Sequence, residues 1–295
     1  ISSAASDVYK RQERYRTMLN EDQNQDYMYF DFVLVGKEKA MVIDAGIGIG
    51  DLIGAIRMTI TDKPLVIVAT HGHGDHTGGM GNFDEYYLSE KDWFYPVEES
   101  MEMRRGYSAM IAKRQGGYYP WVADRDITPF EKQPRRLPLE AGVEFDLGGR
   151  IIKTIACPGH TPGQIAFLDE SSRSLFCGDA LNCNLGYGGM PGKPIDWEHV
   201  TSVERALEGL EALAAAKDSY DGIYNGHHDY RPLGAPLDES VLPDAMTLCK
   251  QLISGQYNVV LTKNPLGEGL RACVKKGLTE ISFNPETILE SQMKR

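Results

Sequence analysis

The stretch "THGHGDHTGG", residues 70–79, sets three histidines and an aspartate within six positions and spaces them with glycine. A solvated loop has no need of so many imidazoles, and a core strand does not tolerate them unpaired. Just before it, "PLVIVAT" (64–70) is a short continuous apolar run, as expected of a strand buried on both faces. The histidine segment is therefore read as a loop at the C-terminal end of a buried strand, where open α/β sheets place their ligands. His71 and His73 are two apart and project to the same side of an extended backbone. Asp75 and His76 are adjacent and turn elsewhere, towards a second ion. Gly72 and Gly74 permit tight turns and leave room around an ion. One loop can thus supply half the ligands of two neighbouring metals.

Working outward, "YFDFVLVGKEKAMVIDAG" (29–46) reads as a hairpin and "DLIGAIRMTI" (51–60) as a helix. The second half repeats the arrangement. "RIIKTIACPGHTPG" (150–163) is a strand running into a turn with His160, and "QIAFLDESSRSLFCGDAL" (164–181) is a hairpin ending at Asp179. "WEHVTSVERALEGLEALAAAK" (197–217) is a helix with Leu207, Leu210 and Leu213 along one side, and it carries His199. "DGIYNGHHD" (221–229) is a short strand ending at His227, and residues 237–254 and 285–293 have helical spacing. His160 and His227 would complete the two ligand sets, and Asp179 could bridge them through its two oxygens. Five of the seven histidines stand at the ends of predicted strands, which hydrophobic patterning alone does not require. The alternation predicts two packed sheets with helices outside.

The stretch 84–126 differs, being rich in aromatics (Trp93, Phe94, Tyr95, Tyr118, Tyr119, Trp121) and mostly helical in pattern. It reads either as an insertion with its own small core or as a lid over the site. Residues 1–12, with "DVYKRQ" at 7–12, read as a non-native, adapter-derived segment.

Composition bounds the function. A 295-residue chain can bury a substantial core, and 42% apolar with 25% charged residues is ordinary for a globular protein. A net charge of −11 without a long basic run argues against nucleic acid or an anionic membrane as partner. A small-molecule substrate fits better, and a homodimer is left open. No run of roughly 18 apolar residues and no signal peptide is read. The five cysteines (Cys157, Cys177, Cys183, Cys249, Cys273) form no CxxC pair and read as reduced thiols of a cytoplasmic protein.

With these residues in hand, the sequence resembles the metallo-β-lactamase fold superfamily, in its glyoxalase II and lactonase-like branch. The HxHxDH motif is present as His71, His73, Asp75 and His76; His160 stands in "CPGHTPG", Asp179 in "FCGDAL" and His227 in "YNGHHD". The resemblance spans roughly residues 29–230. It implies an αββα sandwich over 13–295, with a largely helical insertion between the halves at about 84–149. One metal would take His71, His73 and His160, and the other Asp75, His76 and His227, with Asp179 between them. Asp44 would support the metal loop, and His228, beside a ligand, is a further supporting candidate.

The resemblance implies a hydroxide held between two divalent ions as nucleophile, with Asp75 orienting it and shuttling a proton. Zinc comes first as the metal, and iron or manganese suit the same ligands. The expected reaction is hydrolysis of an ester-type bond: thioester, lactone, carboxylic ester or phosphodiester. Antibiotic-degrading members generally carry serine or cysteine where Asp179 stands, which sets that branch aside. Acyl-homoserine lactonases place a tyrosine shortly after the bridging aspartate, and Tyr187 is too distant to match. No basic glutathione-binding cluster is evident. Two alternatives come from other classes: a mononuclear iron persulfide dioxygenase-like oxidoreductase on His71, His73 and His160, and a regulatory metal-binding protein with little turnover.

Overall fold

A computed structural model describes residues 31–96, 101–114, 122–130, 132–189, 199–227, 234–263 and 270–293, the side chains of 111–114 and 263 excepted. Residues 1–12, Tyr118, Tyr119, Trp121 and His228 lie outside the described residues.

The first sheet takes β1 (Phe32–Val35), β2 (Ala40–Ile43), β3 (Leu65–Val68), β4 (Glu85–Leu88) and β5 (Arg135–Pro138), in that order. β1 and β2 form the expected hairpin, and β2 to β5 run parallel. The second sheet is built from β6 (Glu144–Asp146), β7 (Ile151–Ala156), β8 (Ile165–Asp169), β9 (Ser174–Gly178) and β11 (Gly222–Asn225), ordered β11-β9-β8-β7-β6. β10 (Asn184–Tyr187) belongs to a third sheet with β12 (Val260–Lys263), β13 (Leu270–Lys276) and β14 (Thr279–Phe283).

Period-two alternation explains the layering. Met41 and Ile43 of β2 face Ile152, Ile165, Phe167 and Phe176 across the gap between the first two sheets. Val42, between them, turns outward and packs with Leu52 and Ile56 of helix α1 (Leu52–Thr59). On the far side, Val203, Ala206, Leu210 and Leu213 of one helix cover the second sheet, and Val241, Ala245, Leu248 and Leu252 of another join the same core, packed against that helix and against β13 and β14. These spacings of three and four put one apolar stripe on each helix. The result is the αββα sandwich. Among the described residues no helix is long and apolar enough to cross a membrane. All five cysteines are buried.

The structure differs from the sequence reading in four places. Both flanks of the 84–149 stretch are strands: β4 and β5 complete the first sheet, and β6 edges the second. Its described helices are confined to α3 (Met101–Arg114) and the single turn α4 (Ala123–Asp126), with a one-turn helix α2 (Gly74–Thr77) preceding it. The helix expected from 197 begins only at Val203, because the Ser202 hydroxyl caps it by accepting from Arg205 N–H at 3.3 Å. That helix, α5 (Val203–Ala215), therefore leaves His199 in a turn, stacked on Phe94 with ring centroids 3.4 Å apart. Finally, residues 285–293 form only a short 3₁₀ turn, while β13 and β14 were not anticipated. β13 buries Cys273 and Val274 but ends in exposed Lys275 and Lys276, which hides its strand pattern.

Candidate metal centre

The site lies where β2, β3, β9 and β11 end. Asp44 follows β2 with φ +62, an unusual conformation for a residue with a side chain, and it turns the chain sharply. Its carboxylate accepts from Thr70 N–H at 2.7 Å and from the Thr70 hydroxyl at 2.8 Å. It also holds His76 Nδ1 at 2.9 Å. Thr70 Oγ1 lies 3.0 Å from His71 Nδ1. These contacts leave Nε2 of both His71 and His76 facing inward.

The candidates fall into two sets. On one side His73 Nδ1 stands 3.2 Å from His71 Nε2 and 2.8 Å from His160 Nε2. On the other, His76, Asp75 and His227 converge, with His227 Nε2 3.7 Å from Asp75 Oδ2. Asp179 sits between them. Its Oδ2 is 2.9 Å from His227 Nε2 and 3.5 Å from His160 Nε2, while Oδ1 is 3.5 Å from His76 Nε2. Gly226 lets β11 come this close, since a Cβ there would stand 2.4 Å from His76 Cε1. The structure thus brings together His71, His73, Asp75, His76, His160, Asp179 and His227, with Asp44 behind them.

Electrostatics separate the two sets. Burial, then the neighbouring His76, His73 and His160, hold the His71 ring well below its ordinary value. Burial and His73 push His160 down to about 3, and burial also lowers His73. All three are neutral imidazoles, the form that binds a metal. Burial would lower His76 too, but Asp179, Asp44 and Asp75 outweigh it and hold that ring well above its ordinary value. His227 is raised the same way, by Asp179 and Asp75 against burial. Burial works to raise Asp75 and Asp179, but His76 and His227 hold both carboxyls down.

These residues fit divalent ions. Zinc–nitrogen bonds of about 2.0–2.1 Å in a tetrahedron separate neighbouring ligands by about 3.3 Å, close to the spacing among the three imidazoles. In addition, among the described residues His76 Nε2 and Asp179 Oδ1 are buried without a hydrogen-bond partner and face each other at 3.5 Å. Buried polar atoms left this way call for a ligand.

Four contributors escaped the sequence. Thr70 lay inside the quoted motif, where its hydroxyl could have been read as a partner for a carboxylate. Asp92 and Tyr95 arrive from the turn after β4. Tyr107, on α3, donates to Asp75 Oδ2 at 3.3 Å. Its helix is held by Arg104, fully buried, whose guanidinium donates to Ile47 O, Gly48 O and Thr128 O at 2.9, 2.7 and 3.1 Å. Tyr187 is buried in the core beneath the second sheet.

The chain matches the family model described as the metallo-beta-lactamase superfamily over residues 27–216. It is 28% identical over 203 residues to the acyl-coenzyme A thioesterase MBLAC2 of Gallus gallus, covering 59% of this chain and 64% of that one. It is 28% identical over 152 residues to a hydroxyacylglutathione hydrolase of Methylococcus capsulatus, covering 50% of this chain and 44% of that one. The chain therefore spans less than two thirds of these relatives. A solved archaeal metallo-beta-lactamase superfamily protein from Sulfolobus tokodaii superposes with a TM-score of 0.51 at 18% identity, over 85% of this chain and 90% of that one. That likeness concerns the fold.

Proposed function

The chain belongs to the metallo-beta-lactamase superfamily, and from that membership we propose that it is a hydrolase of ester-type bonds that works with two divalent ions, thioesters being its first substrate class. The observation that carries this reading is the convergence of three neutral imidazoles and a second, carboxylate-rich set on opposite sides of Asp179. The likeness to an acyl-coenzyme A thioesterase and to a hydroxyacylglutathione hydrolase supports placing thioesters ahead of lactones, carboxylic esters and phosphodiesters.

His71, His73 and His160 would hold one ion, and Asp75, His76 and His227 the other, with Asp179 shared. Bound there, such ions supply hydroxide at neutral pH and polarise the carbonyl under attack. The protein's own part is orientation and proton handling. Asp75 is assigned to orient the attacking water and to carry its proton to the leaving group. Tyr107 steadies that carboxylate through Oδ2. Asp44 keeps His76 in the tautomer with Nε2 inward.

Metal analysis of reconstituted protein, followed by a panel of thioesters, lactones, aryl esters and phosphodiesters, tests the proposal. The expected result is close to two ions per chain and fastest turnover on thioesters. One ion per chain at full activity would overturn the two-ion part. A fully loaded protein that cleaves nothing in the panel would overturn the hydrolase.

A further inference from the structure

The turn after β4 carries two side chains to the triad side that the histidine motif does not announce. Asp92 is fully buried. Its Oδ2 accepts from Gly72 N–H at 2.9 Å and from the Thr161 hydroxyl at 2.7 Å, and its Oδ1 accepts from Gly163 N–H at 2.7 Å. Gly72 lies between His71 and His73, and Thr161 follows His160. One carboxylate therefore ties the loop bearing two imidazoles to the loop bearing the third. Three residues on, the Tyr95 hydroxyl lies 2.9 Å from His73 Nε2, the ring nitrogen turned away from the other two histidines.

The turn itself is fastened. The Trp93 indole N–H donates to Leu88 O at 3.2 Å, and the Arg136 guanidinium donates to Trp93 O and Tyr95 O at 2.6 and 2.5 Å. The motif glycines answer to this turn. A Cβ on Gly72 would stand 2.3 Å from Tyr95 Cδ2, and one on Gly163 would stand 2.6 Å from Asp92 Oδ1. The space beside Gly72, expected from sequence to leave room around an ion, is filled by the Tyr95 ring.

We propose that Asp92 and Tyr95 are positioning residues of the histidine triad. Asp92 sets the distance between the His71–His73 loop and the His160 loop, and Tyr95 fixes the His73 ring with Nδ1 towards its partners. The inference rests on the reading that the triad holds an ion. Among the described residues neither side chain hydrogen-bonds to Asp75, His76 or His227, so their loss must act on one side of the site. A merely structural role would weaken both sides alike.

The test is a zinc titration of metal-free protein against a chromophoric chelator, resolving the two stepwise affinities, together with the visible spectrum of the cobalt form. Wild type is compared with Asp92→Asn, Thr161→Val and Tyr95→Phe. Asp92→Asn keeps the volume but turns one accepting oxygen into a donor facing donors. Thr161→Val removes a single bond at constant shape and decides the matter should Asp92→Asn not fold. The triad ion should weaken about 10–100-fold in Asp92→Asn and Tyr95→Phe, and less in Thr161→Val, with the other ion unchanged. The cobalt spectrum should shift in its triad component. Equal weakening of both ions, or of neither, overturns the proposal. A wild type that binds one ion at the triad would sink the two-ion reading and still test this inference on that ion.

Discussion

The two sides of Asp179 use the same residue type to opposite ends. His71, His73 and His160 face one another as neutral rings, supported by Thr70, Tyr95 and, through the backbone, Asp92. His76 and His227 face Asp179, with Asp75 close to both and Asp44 against His76, and these carboxylates hold both rings above their ordinary value against burial. The carboxylate-rich side can therefore balance its own charge with protons. The triad side instead keeps its rings neutral, with His73 Nδ1 3.2 Å from His71 Nε2 and 2.8 Å from His160 Nε2. Burial alone does not set a histidine's state: it is the largest influence on all five and works to lower each, and only at His76 and His227 do the carboxylates outweigh it.

The largest expected effect comes from removing one ligand on each side. His160→Ala and His227→Ala should each lose a single ion, the triad ion and its neighbour respectively. Hydrolysis should fall by more than the roughly 10–100-fold typical of a supporting residue. Stoichiometry and kcat measured side by side check this, and loss of both ions from either variant would erase the distinction between the sides. Asp44→Asn is next. It deprives His76 of its anionic partner, so affinity for the carboxylate-side ion should drop about 10–100-fold while the triad ion is held.

The pH dependence of metal-free protein sharpens the comparison further. The triad rings stay neutral in the fold but take up protons when unfolded, so their stability contribution is present above about 6.5 and is lost as pH falls towards the folded values. Asp31 partly offsets this, because burial and Asp44 raise its carboxyl to about 7 and the fold keeps that proton. His76 and His227 behave oppositely. Their contribution is complete below about 6.5 and is lost as pH rises through their raised folded values. Metal-free protein should thus be most stable near neutrality and decline on both sides, by about 1.4 kcal/mol per pH unit for each proton left uncompensated. Thermal melts from pH 5 to 9 read this out, and a monotonic trend would contradict it. The smallest effect is expected of Tyr107→Phe. It removes one 3.3 Å bond to Asp75 and should lower kcat by at most about tenfold, with metal content and KM kept.

Much of this was legible in the sequence because its signals are local. The hairpin at β1 and β2, the apolar run of β3 and the glycine-spaced histidines each lie within a few residues, where spacing fixes geometry. Strand ends announced His160, Asp179 and His227 for the same reason. In "GHHD" His227 Nε2 stands 2.9 Å from Asp179 Oδ2, and His228 lies outside the described residues. The third sheet was missed because β13 mixes buried Cys273 and Val274 with exposed lysines, so neither period dominates.

What sequence alone determined is the chemistry of the centre: which side chains have the donor atoms to hold an ion. What only the tertiary structure decided is how those side chains are held and charged. Asp92, Tyr95 and Tyr107 lie 20, 22 and 32 residues along the chain from the groups they touch. No local pattern links such pairs, because their contacts arise only when β4 and α3 pack beside the loop after β3. The state of each histidine follows the same rule, since it is set by burial and by carboxylates brought from the ends of β2 and β9 and from α2 into one volume.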